Sequence, residues 1–219
     1  MKNEIELNEL EQEVVITVND LELNGILALP AHPKGLILFA HGSGSGRFSP
    51  RNNFVARELQ KAQFGTLLMD LLSEKEENID NRKNVFDIDL LSNRLNLAKN
   101  WLMDYFKINK LKIGFFGAST GAGAAIEAAA KDPNYVFAIV SRGGRPDLAY
   151  GSLARVSVPT LLIVGGADGI VIDINQEALD KMKCKKELVI IPRATHLFEE
   201  AGALEKVAEL AVDWFTKYC

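Results

Sequence analysis

Ser119 has the surroundings of a nucleophile. It stands in Gly117-Ala118-Ser119-Thr120-Gly121, after an apolar run at 111–116 and before an alanine-rich run at 122–130. A buried strand, a sharp turn with serine at its tip and a helix make a nucleophile elbow. The spacing has a steric reason. Strand and helix meet so closely that the residues two before and two after the serine must lack side chains. The serine Oγ then projects above the sheet edge. The next backbone N–H, that of Thr120, points the same way at a helix N-terminus, where donors are unpaired and the dipole is positive. One turn thus offers a nucleophile and half of an oxyanion hole.

Such a serine needs a base and an acid. The chain has three histidines, His32, His41 and His196. His196 follows the apolar run 188–191 and precedes the last helical pattern. Asp168 follows another apolar run, 160–164, in Gly165-Gly166-Ala167-Asp168. The order Ser119, Asp168, His196 is that of α/β-hydrolases and differs from the orders of chymotrypsin-like and subtilisin-like proteases. Each residue comes just after a strand, where open α/β sheets bind ligands. Taken singly, His196 reads as a loop histidine and Asp168 as a turn or N-cap residue. Together they read as a catalytic triad.

The second oxyanion donor is expected in His41-Gly42-Ser43-Gly44-Ser45-Gly46, after the strand 35–40. The loop after the third strand supplies that donor in α/β-hydrolases, and we assign it to the N–H of Ser43. Gly42 lets the backbone approach substrate closely. His41 is read as orienting this loop rather than as a base. Arg142, at the end of the strand 136–140, emerges near Ser119 and Asp168. It is a candidate for holding an anionic substrate, against a plainer reading in which it pairs with Asp147 or another loop carboxylate and only shapes the loop.

Composition narrows the classes. The 219 residues suit a single domain, 1–219, and the 47% hydrophobic content is ample for one core. A net charge of −4 without a basic stripe gives no reason to expect nucleic acid. The acidic N-terminus, 1–9, does not read as a secretory signal, and no apolar run reaches spanning length. Two cysteines, Cys184 and Cys219, suggest no disulfide framework. A soluble protein of a reducing cytoplasm, acting on a small molecule without cofactor or metal, is expected; no Cys/His cluster has metal-ligand spacing.

Eight strands can be read: 14–18 and 21–29 as an antiparallel pair around Asn19-Asp20, then 35–40, 66–70, 111–116, 136–140, 160–164 and 188–191. Helices are expected at 53–61, after Ser119, and at the end of the chain. Ile88, Leu91, Leu95, Ala98 and Leu102 recur at helical spacing. The charged stretch 73–84 reads as an exposed loop. The sum is an α/β-hydrolase fold: a mostly parallel eight-stranded sheet with an antiparallel N-terminal strand and helices on both faces. Between 140 and 158 there is room for only a short helix, hence a minimal lid and a shallow, open site.

Two other classes compete. Gly117-x-x-x-Gly121-x-Gly123 is similar to a short-chain dehydrogenase turn, but that turn belongs after the first strand. None of the four tyrosines begins a Tyr-x-x-x-Lys pair. A binding or regulatory protein that keeps the fold without turnover is the other class.

The motifs 41–45, 49–52, 86–88, 117–121, 141–147, 165–168 and 194–200 together resemble the dienelactone hydrolase-like family of α/β-hydrolases. The likeness is greatest to its bacterial branch, found alone or fused to a phosphoribosyltransferase domain. It runs from about Leu21 onward. It implies Ser119 as nucleophile, Asp168 as acid and His196 as base, acting on esters and, by extension, lactones or thioesters. There are two departures. Dienelactone hydrolase proper uses a cysteine where this chain has Ser119, and Arg193 stands where a glycine is expected before Ala194-Thr195-His196.

Overall fold

A computed structural model of the chain describes residues 10–18, 20–73, 75–76, 83–106 and 112–219. The acidic start at 1–9, Asn19 of the first turn and most of the charged stretch 73–84 lie outside the described residues. The strands are β1 (Leu10–Val18), β2 (Leu21–Leu29), β3 (Leu36–Ala40), β4 (Gly65–Met69), β5 (Ile113–Ala118), β6 (Val136–Arg142), β7 (Thr160–Gly165) and β8 (Lys186–Ile191). They form one sheet in the order β1-β2-β4-β3-β5-β6-β7-β8.

β2 runs antiparallel to both β1 and β4, while every pairing from β4 to β8 is parallel. The strand that runs against the sheet is therefore the second, and β1 shares the common direction. Both faces of β3 are covered, so all five of its residues are buried. This is why it reads as an unbroken apolar run rather than an alternation.

The pleat divides β3 between two cores. Leu36, Leu38 and Ala40 join the one on which α2 (Ile88–Phe106), α3 (Thr120–Lys131) and α4 (Gly169–Lys181) pack. Ile37 and Phe39 join the other, under α1 (Pro50–Lys61) and α5 (Ala203–Tyr218). Gly114 on β5 allows the second core to close. A Cβ there would lie 2.7 Å from both Ile37 Cδ1 and Phe215 Cε1. Phe215 is fully buried on α5 and meets Phe137 edge-on at 5.7 Å.

Between β6 and β7 the chain holds only a 3₁₀ segment, Pro146–Arg155, packed on α3 and α4. No broader lid is built there. Among the described residues, no helix is long and apolar enough to cross a membrane.

Candidate active site

β5 delivers Ser119 at the centre of the sheet. Its backbone sits at φ 51°, ψ −120°, in the positive-φ region that non-glycine residues enter only when the surroundings force them. The surroundings do force it. A Cβ on Gly117 would lie 2.4 Å from Ala122 Cα, and one on Gly121 would lie 2.2 Å from Ala40 O. The turn is clamped by the backbone as well. Ser119 N–H donates to Arg142 O at 3.2 Å, and Arg145 N–H donates to Ser119 O at 3.0 Å. The end of β6 thus holds the elbow in place.

Asp168 follows β7 and is formally the N-cap of α4, yet its side chain makes no capping hydrogen bond. Its carboxylate instead takes the imidazole of His196, with Asp168 Oδ2 2.6 Å from Nδ1. That contact fixes Nδ1–H as the donor and leaves Nε2 as the free acceptor. The floor beneath the ring is Gly143, at φ 51°, where a Cβ would be 3.4 Å from His196 Cε1 and Nδ1. Gly143 directly follows Arg142, whose carbonyl receives the Ser119 N–H. One short stretch of backbone therefore touches both the serine turn and the histidine ring. Among the described residues no hydrogen bond joins Ser119 Oγ to His196. Catalytic hydrogen bonds commonly tighten only around substrate.

Arg193, the residue standing in place of a glycine, has φ 65°. The histidine loop needs a left-handed residue at this point, which is the physical reason to expect glycine there. Phe198 is a second left-handed residue of the same loop, at φ 55°.

The loop after β3 is pinned to the end of β4. His41, 8% exposed, accepts the Leu71 N–H on Nε2 at 3.0 Å and lies 2.9 Å from Gly42 O through Nδ1. Nδ1 therefore carries the proton, and the ring serves the loop rather than the reaction centre. Arg47 pairs with Asp70, which also accepts the Arg47 N–H at 2.7 Å. Gly42 lies against the serine: a Cβ on it would be 3.1 Å from Ser119 Cβ. Ser43 N–H donates to Thr120 Oγ1 at 2.9 Å, so this expected oxyanion donor is tied across to the elbow. Thr120 N–H is at the first position of α3, where no intrahelical acceptor exists.

An open cleft of about 670 Å³ lies beside this loop. His41, Phe48, Asp70, Leu72 and Val85 are among the residues lining it. It adjoins the loop carrying Ser43 but is not lined by Ser119, Asp168 or His196.

Arg142 is not paired with Asp147. That carboxylate is held by Arg145 in a two-point contact at 2.8 and 2.7 Å. Arg142 is buried, with Nη2 3.4 Å from Asn52 Oδ1. Burial, with a smaller effect from neighbouring Arg51, pushes its pKa down to about 10.

Two contacts have no motif behind them. Asn175 on α4 is fully buried and donates to Gly144 O at 3.0 Å, steadying the β6 end that carries Gly143. The Thr120 hydroxyl on the Ser43 N–H is the other. An asparagine within an amphipathic helix gives no signal in a sequence. The threonine beside the serine gives one only once its partner loop is placed.

No family model matches the chain. The sheet order, the elbow after β5 and the loops after β7 and β8 define an α/β-hydrolase. Est1E from Butyrivibrio proteoclasticus shares this fold with a TM-score of 0.79 at 15% identity, over 94% of this chain and 98% of that one. A dienelactone hydrolase from Anabaena variabilis is 54% identical, with a TM-score of 0.92 over 96% of this chain and 98% of its own. The chain belongs to the dienelactone hydrolase family of α/β-hydrolases. A Mycobacterium tuberculosis protein with a provisional phosphoribosyl transferase name is 52% identical over 205 residues, 94% of this chain and 46% of that protein. The chain thus spans about half the length of the curated relatives it matches.

Proposed function

We propose that the protein is a serine hydrolase that cleaves carboxylic esters of small substrates, with lactones and thioesters as related possibilities for the same chemistry. The reading is carried by the Asp168–His196 contact of 2.6 Å, set beside a serine held at positive φ at the head of a helix. His196 Nε2 takes the Ser119 proton as Oγ attacks the carbonyl carbon. Asp168 holds the histidine tautomer and stabilises the imidazolium. The carbonyl oxygen becomes an oxyanion between the N–H groups of Thr120 and Ser43, where one such donor is typically worth ~3 kcal/mol. The arriving oxygen takes the Ser43 N–H over from the Thr120 hydroxyl. His196 then protonates the leaving alcohol, and a water deprotonated by the same base releases the acid from Ser119.

The open cleft beside the Ser43 loop and the short lid support small substrates. Phe48 and Leu197, on the loops after β3 and β8, and Ile170, in the first turn of α4, are exposed apolar side chains. They offer contact area for an apolar acyl or alcohol group. No step draws on a cofactor, and the partner is the small-molecule ester itself. A cytoplasmic setting remains part of this proposal. The oligomeric state does not enter it.

A panel of 4-nitrophenyl esters of rising chain length, thioesters and lactones tests the reading. Turnover should be highest for short acyl groups, and Ser119→Ala should abolish it with the thermal midpoint nearly kept. Substantial esterase activity in Ser119→Ala would overturn the mechanism.

A further inference from the structure

Arg142 is 7% exposed, and no carboxylate pairs with it among the described residues. Its polar contact is long, 3.4 Å to the neutral Asn52 Oδ1, and among the described residues its buried Nε has no partner. The face of Phe198, 6.0 Å from the guanidinium, is a weak substitute for an anion. The neighbouring charge makes matters worse, because Arg51 is a second cation close enough to act on it. Arg51 spends one Nη on Glu199 at 3.1 Å, but its own buried Nε also has no partner among the described residues. Asp147 is committed to Arg145 and Asp70 to Arg47, and Glu200 of the histidine loop, whose Oε2 is buried without a partner, makes no ion pair with either arginine among the described residues. Arg51 and Asn52 lie in the first turn of the 12-residue α1, whose dipole also favours negative charge. Buried charges are normally paired, and an orphaned buried donor commonly marks a missing ion or ligand.

We infer that Arg142 and Arg51, with Asn52 and the start of α1, form a pocket for one compact oxyanion, a carboxylate or phosphate group, lodged against the histidine loop. The planar guanidinium of Arg142 offers Nε and Nη side by side, the fork that two oxygens of such a group accept. The pocket is coupled to the reaction centre through the chain. Phe198 and Glu199, which Arg142 and Arg51 touch, follow His196 by two and three residues. Filling it steadies the loop that carries the base. The anion has two sources, a charged group on the substrate or a free anion. The substrate source rests on the serine-hydrolase reading, and the free anion does not.

The experiment uses the purified full chain, Arg142→Met and Arg51→Gln. Thermal midpoints are followed against inorganic phosphate and acetate at constant ionic strength. Alongside, kcat/KM is measured for matched 4-nitrophenyl esters with a neutral and an ω-carboxylate acyl chain. If the substrate carries the anion, Arg142→Met lowers the charged-to-neutral ratio of kcat/KM by roughly 10- to 100-fold, the range for hydrogen bonds to charged groups. Arg51→Gln then lowers it less, and phosphate competes with the charged ester. If the anion is free, phosphate or acetate raises the wild-type midpoint saturably. That rise is lost in Arg142→Met and weakened in Arg51→Gln, with the ester ratio unmoved. A wild-type midpoint that ignores both anions, together with an ester ratio unmoved by Arg51→Gln, overturns the proposal even if Arg142→Met does not fold. Should neither ester be hydrolysed by the wild type, the hydrolase reading fails, and the thermal titration alone decides the pocket.

Discussion

Asp168 begins a helix without capping it. An aspartate at that position normally spends its carboxylate on the first free N–H groups of the helix. Here it is spent on His196, as the proposed role of orienting a base requires. Asp168→Asn should therefore lower kcat by roughly 10³- to 10⁴-fold, since an amide can stabilise the wrong histidine tautomer, while the thermal midpoint moves little. Asp147→Asn is the control, because Asp147 holds only Arg145. If Asp147→Asn were the crippling change in steady-state kinetics, the acid would lie after β6. The placement of Ser119 on its turn and of Asp168 against His196 was legible because each follows directly on an apolar run. Arg142 was legible by position only. Nothing in the order of residues says that Asp147 is claimed by Arg145 two positions earlier, so the burial of Arg142 without a carboxylate emerges only in three dimensions. The positive φ of Arg193 is hidden for a similar reason: a side chain has been kept where the backbone alone would favour glycine.

The elements were read well wherever burial imposed a plain pattern. β3 to β7 are buried throughout and mostly apolar because helices cover both faces. β8 is an edge strand with exposed Lys186, Glu187 and Ile190, and its apolar pattern marked only the later half, 188–191. Strand direction is not written in periodicity, so the antiparallel course of β2 against β4 followed only from the fold. The helix pair α2 and α3 shows another contact that no pattern announces. Lys99 on α2 is fully buried and crosses to the end of α3, reaching Asp132 Oδ2 at 2.7 Å, Asp132 O at 3.0 Å and Asn134 O at 3.2 Å. The hydrogen bond from Lys99, aided by its charge and by Asn134, holds the Asp132 pKa below its ordinary value. A depressed carboxylate pKa stabilises the fold above the unfolded value, about 3.9, and that stabilisation is lost as pH falls through the folded value. Asp132→Asn should cost about 1 kcal/mol at neutral pH, a charged hydrogen bond discounted because a third of the side chain meets solvent. In thermal melts against pH, the gap between wild type and variant should close below about pH 3.9. A gap that persists unchanged into that acid range would show that the ion pair is not its source.

At the scale of the molecule, one sheet brings together residues 49 and 28 positions apart in the chain by ending β5, β7 and β8 on the same edge. That convergence was readable from the sequence because parallel strands joined by helices must all end on one side. The openness of the site was readable too, from the short stretch between β6 and β7. The cross-ties were not: the Thr120 hydroxyl on the Ser43 N–H, Asn175 on Gly144 and the His41 bridge to Leu71. Each depends on which loops become neighbours. All of them serve one claim, that the strained serine at the tip of β5 is a nucleophile activated by His196. The most direct measurement is covalent labelling by a fluorophosphonate, read by intact mass and peptide mapping in the wild type, Ser119→Ala and His196→Ala. The account predicts one adduct per chain, located on Ser119, absent in Ser119→Ala and formed far more slowly in His196→Ala. An unlabelled wild-type Ser119, or labelling at the same rate without His196, would contradict it.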